Sequence, residues 1–285
     1  MILFHDRRSL EYSAPGHPER PERVKRTVPV LKDRHANWEW RVPSSAVDNE
    51  LIRAHSPDHL RHVANPVADF DTDTPAYPRI DTYARLSAGA ALDAARAALK
   101  GERAFSLMRP PGHHATRDRA MGFCYFSNIA VAALDALENG VNRVAIWDFD
   151  AHHGNGTEAI VAKNPRIRFA SIHQFPAYPG TGSKSFANID NYPVTPYTPH
   201  GEHVDVVKHA LERLLKFKPD LLLVSAGFDG YEGDPLVQMT LELEDFAIFG
   251  SWLRDLDIPA AAILEGGYSD DLPELIDAFL TAWAG

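Results

Sequence analysis

The sequence predicts an α/β fold: a single domain, residues 1–285, in which a mostly parallel central sheet carries helices on both faces. Three observations support this prediction. Short apolar segments alternate with longer helical patterns along the chain, which is typical of a parallel sheet with crossover helices. The length suits one large α/β domain, and the hydrophobic fraction of 45% can fill its core. No repeat and no Pro- or Gly-rich stretch divides the chain into two parts.

The strand and helix patterns follow one another in regular order. Five short segments are apolar and rich in β-branched or aromatic residues, as buried parallel strands are: 104–108, 144–147, 167–172, 221–224 and 260–264. Five longer segments have the helical spacing of apolar residues: 84–99, 128–137, 204–217, 243–256 and 272–283. Gly101, Gly140 and Pro219 lie just beyond three of these helical segments, where glycine and proline commonly end a helix.

Charge and cysteine content exclude several classes of protein. The formal net charge of −10 disfavours direct contact with nucleic acid and suits a cationic substrate. The single cysteine, Cys124, cannot form an internal disulfide, and no neighbouring group would activate its thiol. The first residues do not have the order of a secretion signal, and no apolar run approaches the ~20 residues that cross a bilayer. We therefore expect a cytoplasmic protein that contacts neither membrane nor nucleic acid.

Chemically versatile side chains follow each of the five predicted strands. They are His113 and His114 after the first, Asp148, Asp150, His152 and Asn155 after the second, His173 after the third, Asp229 after the fourth and Tyr268 after the fifth. The carboxyl ends of parallel strands meet at one edge of a sheet, and ligands of open α/β sheets bind there. These positions therefore predict one site to which five strands contribute.

The segment after the second predicted strand indicates a metal site. Asp148, Asp150 and His152 alternate along extended backbone, so their side chains lie on the same side of it. Carboxylate and imidazole are zinc ligands, and Asp229 is the best third ligand from another strand. Two carboxylates and one histidine would leave Zn²⁺ formally neutral, with a fourth position open. The alternative is an Asp–His turn that is held by hydrogen bonds without a metal.

The adjacent His113 and His114 follow a Pro-Pro-Gly segment in a loop. Two neighbouring histidines rarely both find partners in a core, whereas near an activated water they suit proton transfer at neutral pH. Each needs an acceptor that orients its other ring nitrogen, and Asp148 and Asn155 are available for this purpose.

Aromatic residues in glycine-containing turns are further candidates. Tyr268 follows two glycines, which permit a tight turn, and its phenol could donate a hydrogen bond to a developing oxyanion. Packing on a surface turn is the alternative for this residue. The aromatic residues of loops 122–125 and 177–180 predict the walls of a channel for an apolar stem such as an alkyl-amine chain, unless they only cover the core.

Eight segments of the sequence resemble the histone deacetylase family of the arginase/deacetylase superfamily. They are Gly-His-Pro-Glu-Arg-Pro-Glu-Arg (16–23), Arg-Pro-Pro-Gly-His-His-Ala (109–115), Gly-Phe-Cys-Tyr-Phe (122–126), Asp-Phe-Asp-Ala-His-His-Gly-Asn-Gly-Thr (148–157), Tyr-Pro-Gly-Thr-Gly (178–182), Ala-Gly-Phe-Asp (226–229), Gly-Asp-Pro-Leu (233–236) and Glu-Gly-Gly-Tyr (265–268). They follow the family's order and span nearly the whole chain. Asn155 and the first segment are similar to the class II branch, which includes bacterial deacetylases and acetylpolyamine amidohydrolases.

The resemblance implies a role for each matching residue. Asp150, His152 and Asp229 match the zinc ligands, His113 and His114 the catalytic histidines, Asp148 and Asn155 their respective partners, Tyr268 the tyrosine that polarises the scissile carbonyl, Phe123 and Tyr178 the aromatic pair of the acyl-lysine channel, and Gly122 the glycine whose carbonyl meets the substrate amide. It also implies one Zn²⁺ per chain and a structural K⁺ beside Asp148, His152 and Ser171. Tyr178 departs from the family, in which phenylalanine is more usual at this position.

The implied activity is zinc-dependent hydrolysis of an N-acyl amine, such as acetyl-lysine or an acetylated polyamine, to free amine and acetate. One alternative is a two-metal ureohydrolase, which needs extra bridging carboxylates, although Gly154 stands where the arginase pattern has aspartate. Another is a catalytically silent module that binds acyl-lysine. The sequence assigns no function to Arg23, and it predicts only a solvated acidic loop at residues 69–73.

Overall fold

The computed structural model describes residues 1–285 and contains one eight-stranded sheet. Its strands are β1 (Ile2–Phe4), β2 (Glu39–Arg41), β3 (Ala104–Ser106), β4 (Val144–Asp148), β5 (Ile167–Gln174), β6 (Ile189–Val194), β7 (Leu221–Ala226) and β8 (Ala260–Leu264). They are ordered β2-β1-β3-β8-β7-β4-β5-β6, and every neighbouring pair is parallel. The predicted parallel sheet is confirmed.

Nine α-helices connect the strands, together with a short 3-10 helix at Arg7–Leu10. The α-helices are α1 (Glu22–Arg34), α2 (Asp48–Leu51), α3 (Pro57–Ala64), α4 (Ile80–Ala98), α5 (Asn128–Glu138), α6 (Asn155–Val161), α7 (His200–Leu215), α8 (Leu243–Arg254) and α9 (Leu272–Ala284). No helix combines the length and the apolar character that a membrane span requires.

The two faces of the sheet are covered by different helices, and β4 illustrates why. Its side chains alternate between the faces, as the pleat of a strand dictates. Val144 and Ile146 belong to an apolar cluster with α4 and α5, whereas Ala145 and Trp147 belong to a second cluster with α1, α7, α8 and α9. Because both faces are buried, β4 is apolar throughout until it reaches Asp148, and the prediction of helices on both faces is confirmed.

Three strands (β1, β2 and β6) and three short α-helices (α2, α3 and α6) lie outside the predicted elements. The sequence also predicts a helix that begins near Val24, and α1 begins two residues earlier, at Glu22. β1 and β2 have only three residues each, and β6 is an edge strand with the polar sequence Ile-Asp-Asn-Tyr-Pro-Val. β1 is apolar but, like β2, too short to show a strand pattern, and the polar residues of β6 are typical of a loop. The predicted strand at 104–108 ends at Ser106, since Leu107 and Met108 already lead into the loop that carries the two histidines.

The topology brings the chemically versatile loops together. β8 lies at the centre of the sheet between β3 and β7, and β4 and β5 follow on the far side of β7. In a wholly parallel sheet the carboxyl ends of these five strands share one edge, as the sequence predicts. The candidate site lies at this edge.

Candidate active site

The loop that follows β4 brings a carboxylate and an imidazole toward a second carboxylate beyond β7. Asp150, His152 and Asp229 each offer one ligand atom, and these atoms lie within 4.8 Å of one another. Nδ1 of His152 is 2.8 Å from Oδ2 of Asp229 and 3.3 Å from Oδ1 of Asp150. Both aspartates are fully buried. The three residues that the sequence groups as metal ligands are therefore neighbours in space.

Backbone amides orient the two carboxylates. The N–H of Gly266 donates to Oδ2 of Asp150 at 2.7 Å, and the N–H of Ala151 donates to Oδ1 of Asp229 at 2.8 Å. Each aspartate is thereby left with one oxygen that faces His152. A Cβ atom at position 266 would overlap both carboxylates, so glycine is required for this close approach.

The charges of this group fit a metal ion. Burial raises the pKa of Asp229, and the nearby charge of Asp150 adds to this effect because two carboxylates repel each other. A divalent cation would neutralise both carboxylates, and the set of two oxygen donors and one nitrogen donor suits zinc. The chain contains no other group of three or more histidine, cysteine or acidic side chains with this spacing, so a two-metal site gains no support.

His113 and His114 lie beside this group, and each has the partner that the sequence predicts. Nδ1 of His113 is 3.1 Å from Oδ2 of Asp148, and Nδ1 of His114 is 2.8 Å from Oδ1 of Asn155. The two rings are tilted against each other with centroids 4.0 Å apart. In each ring, Nε2 is the nitrogen that makes no hydrogen bond with Asp148 or Asn155.

The two histidines differ in protonation. Although burial lowers the pKa of His113, the carboxylates of Asp150 and Asp148 raise it well above its ordinary value. Burial and the positive charges of His113 and His152 hold the pKa of His114 well below its ordinary value. In the metal-free protein at neutral pH, the pair therefore combines a cationic His113, which can donate a proton, with a neutral His114, which can accept one.

Tyr268 lies opposite the histidines at the end of a turn that begins where β8 ends. Its backbone N–H donates to Oδ2 of Asp234 at 2.7 Å, and the guanidinium of Arg23 lies 4.8 Å from the centre of its ring. Arg23 also donates to the carbonyls of Glu265 and Gly267. Burial raises the pKa of the Tyr268 phenol well above its ordinary value, so the phenol keeps its proton and can donate a hydrogen bond.

His114, His152 and Tyr268 line a cavity of about 290 Å³ that opens to the surface. Its walls are formed by His17, Pro18, Asp73, His114, Gly122, Phe123, His152, Tyr178, Leu236 and Tyr268. Tyr178 is 38% exposed and meets the ring of His114 edge to face, with centroids 5.1 Å apart. The ring of Phe123 contacts the ring of Tyr268 in the same edge-to-face arrangement, with centroids 5.7 Å apart. Phe123 and Tyr178 therefore form walls of the cavity, whereas Tyr125 of the first loop belongs to the apolar core.

Gly122 lines this cavity beside His114. Its backbone has a φ of +56°, a region that favours glycine, and a Cβ atom would lie 2.6 Å from Cδ2 of His114. The following residue, Phe123, also has a positive φ of 70°, and its N–H donates to the Thr74 hydroxyl at 3.0 Å. This left-handed turn directs the Phe123 ring toward the cavity and leaves space for the ring of His114.

Four wall residues were not among the sequence candidates for substrate contact. They are His17, Pro18, Asp73 and Leu236. Asp73 belongs to the acidic loop that the sequence predicts to be solvated, and the carbonyl of the same residue lies 3.2 Å from Nε2 of His17. Cys124 is fully buried with its thiol 3.3 Å from the Gly122 carbonyl, as expected for a residue without a nucleophilic function.

A family model described as the histone deacetylase domain matches residues 17–283. The chain belongs to the histone deacetylase family. This family member is 36% identical over 283 residues to the histone deacetylase-like amidohydrolase of Pseudomonas aeruginosa, and the alignment covers 90% of this chain and 74% of the relative. Family membership makes the protein a hydrolase of the deacetylase and amidohydrolase class, which is generally metal-dependent.

Two solved structures resemble this deacetylase along its whole length. The HDA15 HD domain has a TM-score of 0.91 at 30% identity and is covered to 91%. The acetylpolyamine aminohydrolase of Burkholderia pseudomallei has a TM-score of 0.87 at 27% identity and is covered to 99%. The family and the arginase/deacetylase fold that the sequence motifs predict are thereby confirmed.

Proposed function

We propose that this protein is a zinc-dependent deacetylase that hydrolyses an N-acetylated primary amine, with acetyl-lysine as the first candidate substrate. One observation carries the proposal. Two buried carboxylates and one partly buried imidazole form a candidate metal site, and two histidines with opposite pKa shifts lie beside it. His114, His152 and the protonated Tyr268 line a single cavity. A module that only bound acyl-lysine would have no need for this division into acid, base and hydrogen-bond donor.

The ligand set supports one zinc ion per chain. Asp150, His152 and Asp229 would hold it, with one carboxylate oxygen of each aspartate and Nδ1 of the histidine turned toward a common point. When bound, Zn²⁺ would polarise the substrate carbonyl and lower the pKa of a water molecule. A structural K⁺ near Asp148 and Ser171 stays a prediction from the family resemblance.

Zinc binding is expected to release about one proton per chain at neutral pH. Although burial lowers the pKa of His152, its contacts with Asp150 and Asp229 raise it to about 10 in the metal-free protein. A ligand nitrogen must be free of its proton, so the apparent affinity should weaken about tenfold for each pH unit below that pKa. Calorimetry in two buffers of different ionisation enthalpy measures the proton count. Zinc binding without proton release would contradict the assignment of Nδ1.

The histidines divide the two proton transfers of the reaction. Neutral His114 accepts a proton from the attacking water, with its ring oriented by Asn155. Cationic His113, which is held by Asp148, donates a proton to the nitrogen as the C–N bond breaks. The nitrogen leaves as the amine, and the oxygen of the water stays on the acetyl carbon as part of acetate.

Tyr268→Phe is expected to lower kcat on the order of 10²-fold, the usual effect of removing one oxyanion donor. The phenol stays protonated because burial raises its pKa, so it can donate a hydrogen bond to the developing oxyanion. The ring itself and its contact with Arg23 should survive the substitution, and the melting temperature should change little. Steady-state turnover compared with wild type measures the effect, and a near-wild-type kcat would contradict this function of the phenol.

An acetylated polyamine is the second candidate substrate. Asp73 lines the cavity, and the net charge of −10 favours a cationic substrate. The similarity to an acetylpolyamine aminohydrolase over 99% of that chain supports the same class. Both candidates share an acetylated primary amine on an alkyl stem, which the walls at Phe123 and Tyr178 suit.

The experiment that tests the proposal is acetate release by chelator-stripped protein, with and without one equivalent of Zn²⁺. An acetyl-lysine peptide and an acetylated polyamine are assayed side by side. Activity that returns with zinc supports the proposed reaction, and the ratio of the two kcat/KM values identifies the substrate class. Protein that binds one zinc ion but releases no acetate from either substrate would overturn the proposal.

A further inference from the structure

Glu265 is a buried carboxylate to which neither the motifs nor the proposed reaction assign a function. It lies directly after β8, has no exposed surface, and is not among the residues that line the cavity. Ionisable side chains are rarely buried completely without a compensating set of contacts, and here the contacts lead to the catalytic groups.

The carboxylate of Glu265 holds the loop that carries the histidines. Its Oε2 accepts hydrogen bonds from the backbone N–H of Gly112 at 2.6 Å and of His113 at 3.1 Å. Its Oε1 accepts from the hydroxyl of Ser225, in β7, at 3.2 Å. In all three contacts the carboxylate is the acceptor, and two of the three donors are backbone N–H groups at the catalytic histidine or next to it.

The main chain of Glu265 belongs to the turn that carries Tyr268. Its N–H donates to the Ala226 carbonyl at 3.0 Å, and its own carbonyl accepts from Arg23. Three residues further along the chain is the phenol that we assign to the oxyanion. One residue thus joins the two halves of the catalytic machinery: its side chain holds His113, and its backbone starts the turn to Tyr268.

The carbonyl and Nδ1 of His113 also have hydrogen-bond partners. Its carbonyl accepts from the N–H groups of Gly156 and Thr157 at 3.0 Å each, and its Nδ1 faces Asp148. These contacts join the loop to β4 and the segment that follows it. The contact with Glu265 instead joins the loop to the Tyr268 turn. Without it, no direct hydrogen bond would join the two segments, and they would be connected only through the pairing of β3 with β8 and through the ion pairs of Glu19 with Arg109 and Arg23.

We propose that Glu265 is a positioning residue that sets the geometry of His113 relative to Tyr268 through its two backbone hydrogen bonds. The inference rests on the proposed function, because it takes His113 and Tyr268 as catalytic residues. The reach of the side chain matters more than its charge, since a neutral carboxamide of the same length can accept the same two hydrogen bonds. Its second group, an NH₂, can then donate to the Ser225 hydroxyl.

The test compares Glu265→Gln with Glu265→Asp. The glutamine variant keeps the length and should retain kcat within about fivefold, because its amide oxygen still reaches Gly112 and His113. The aspartate variant keeps the charge but is one methylene shorter, and kcat should fall by about 10²-fold, the scale of a roughly 1 Å misplacement. KM should stay within about twofold in both variants, since Glu265 does not line the cavity.

A second readout does not depend on catalysis. Hydrogen–deuterium exchange of the amides of Gly112 and His113 should be faster in the aspartate variant and unchanged in the glutamine variant. Asp135→Asn is the matched control, because Asp135 is a buried carboxylate in α5 that pairs with Arg53 and Arg96 away from the site. The control should lower stability without changing kcat.

The outcomes separate the inference from the function on which it rests. An aspartate variant that is as active as the glutamine variant, or more active, would overturn the positioning function of Glu265. If His113→Ala and Tyr268→Phe lose turnover in the same assay, the proposed function stands even then. If those two variants keep full activity, the proposed function itself fails, whatever the behaviour of Glu265.

Discussion

Replacement of Asp229 by asparagine is expected to abolish zinc binding and to lower turnover by roughly 10³-fold or more, because the ion contributes several kcal/mol of charge stabilisation in the transition state. In the folded protein, Oδ1 of Asp229 accepts from the Ala151 N–H while Oδ2 faces His152. The asparagine oxygen would keep the contact with Ala151. Its NH₂ group would then face His152, and an NH₂ group has no lone pair to offer a metal.

The loss can be measured without any substrate. Wild-type protein should retain about one zinc ion per chain after dialysis and melt at a higher temperature when zinc is added, since a ligand that binds the folded state stabilises it. The asparagine variant should show neither effect. Asp190→Asn is the matched control, because Asp190 is a buried carboxylate that pairs with Arg168 and Arg213 away from the site. Full zinc retention by the Asp229 variant would exclude this residue as a ligand.

His114→Ala is expected to lower kcat by about 10³-fold, within the usual effect of removing a general base. The alanine variant cannot accept the proton of the attacking water, and His113 cannot replace it because its high pKa keeps it protonated. Asn155→Ala should cost less, on the order of tenfold, since it removes only the acceptor that orients the ring. Equal losses in the two variants would argue that His114 has no function beyond its contact with Asn155.

The pH dependence of the wild-type protein follows from the same pair. The base is active when neutral, and burial together with the neighbouring imidazoles holds the pKa of His114 well below 6.5. Activity should therefore persist as the pH falls through 6.5 and decline only when His114 becomes protonated. The acid is active when protonated, so activity should be lost at high pH as His113 loses its proton. A decline centred near the ordinary histidine pKa would contradict this assignment.

The sequence predicts the strands in which burial produces an apolar pattern of residues. It misses the strands in which burial produces no such pattern. β4 is apolar up to Asp148 and β7 up to Ser225 because helices cover both of their faces, and both strands are predicted correctly. β6 lies at the edge of the sheet, so Asp190 and Asn191 can occupy it while making polar contacts. Its composition is that of a loop, and only its pairing with β5 makes it a strand.

The residues of the site also fall into two groups, those that the sequence predicts and those that it does not. Side chains that project from strand ends, such as Asp150 and Tyr268, can be predicted because position along a parallel strand implies position in space. Glu265 and Arg23 act on backbone atoms of other segments, and such contacts leave no pattern of residue types in the sequence. The opposite protonation of His113 and His114 depends on which carboxylates lie nearest, and that in turn requires distances.

Because β8 lies at the centre of the sheet, its position determines when the sheet can be completed during translation. β8 is the last strand of the chain, yet it alone joins the group β2-β1-β3 to the group β7-β4-β5-β6. Until residues 260–264 leave the ribosome, a nascent chain would carry two half-sheets with unpaired inner edges, which are prone to associate with other strands. The histidines belong to one half-sheet and the metal ligands to the other. Active protein can therefore appear only after residues 260–264 have been translated, and chaperones that shield strand edges should matter most before that point.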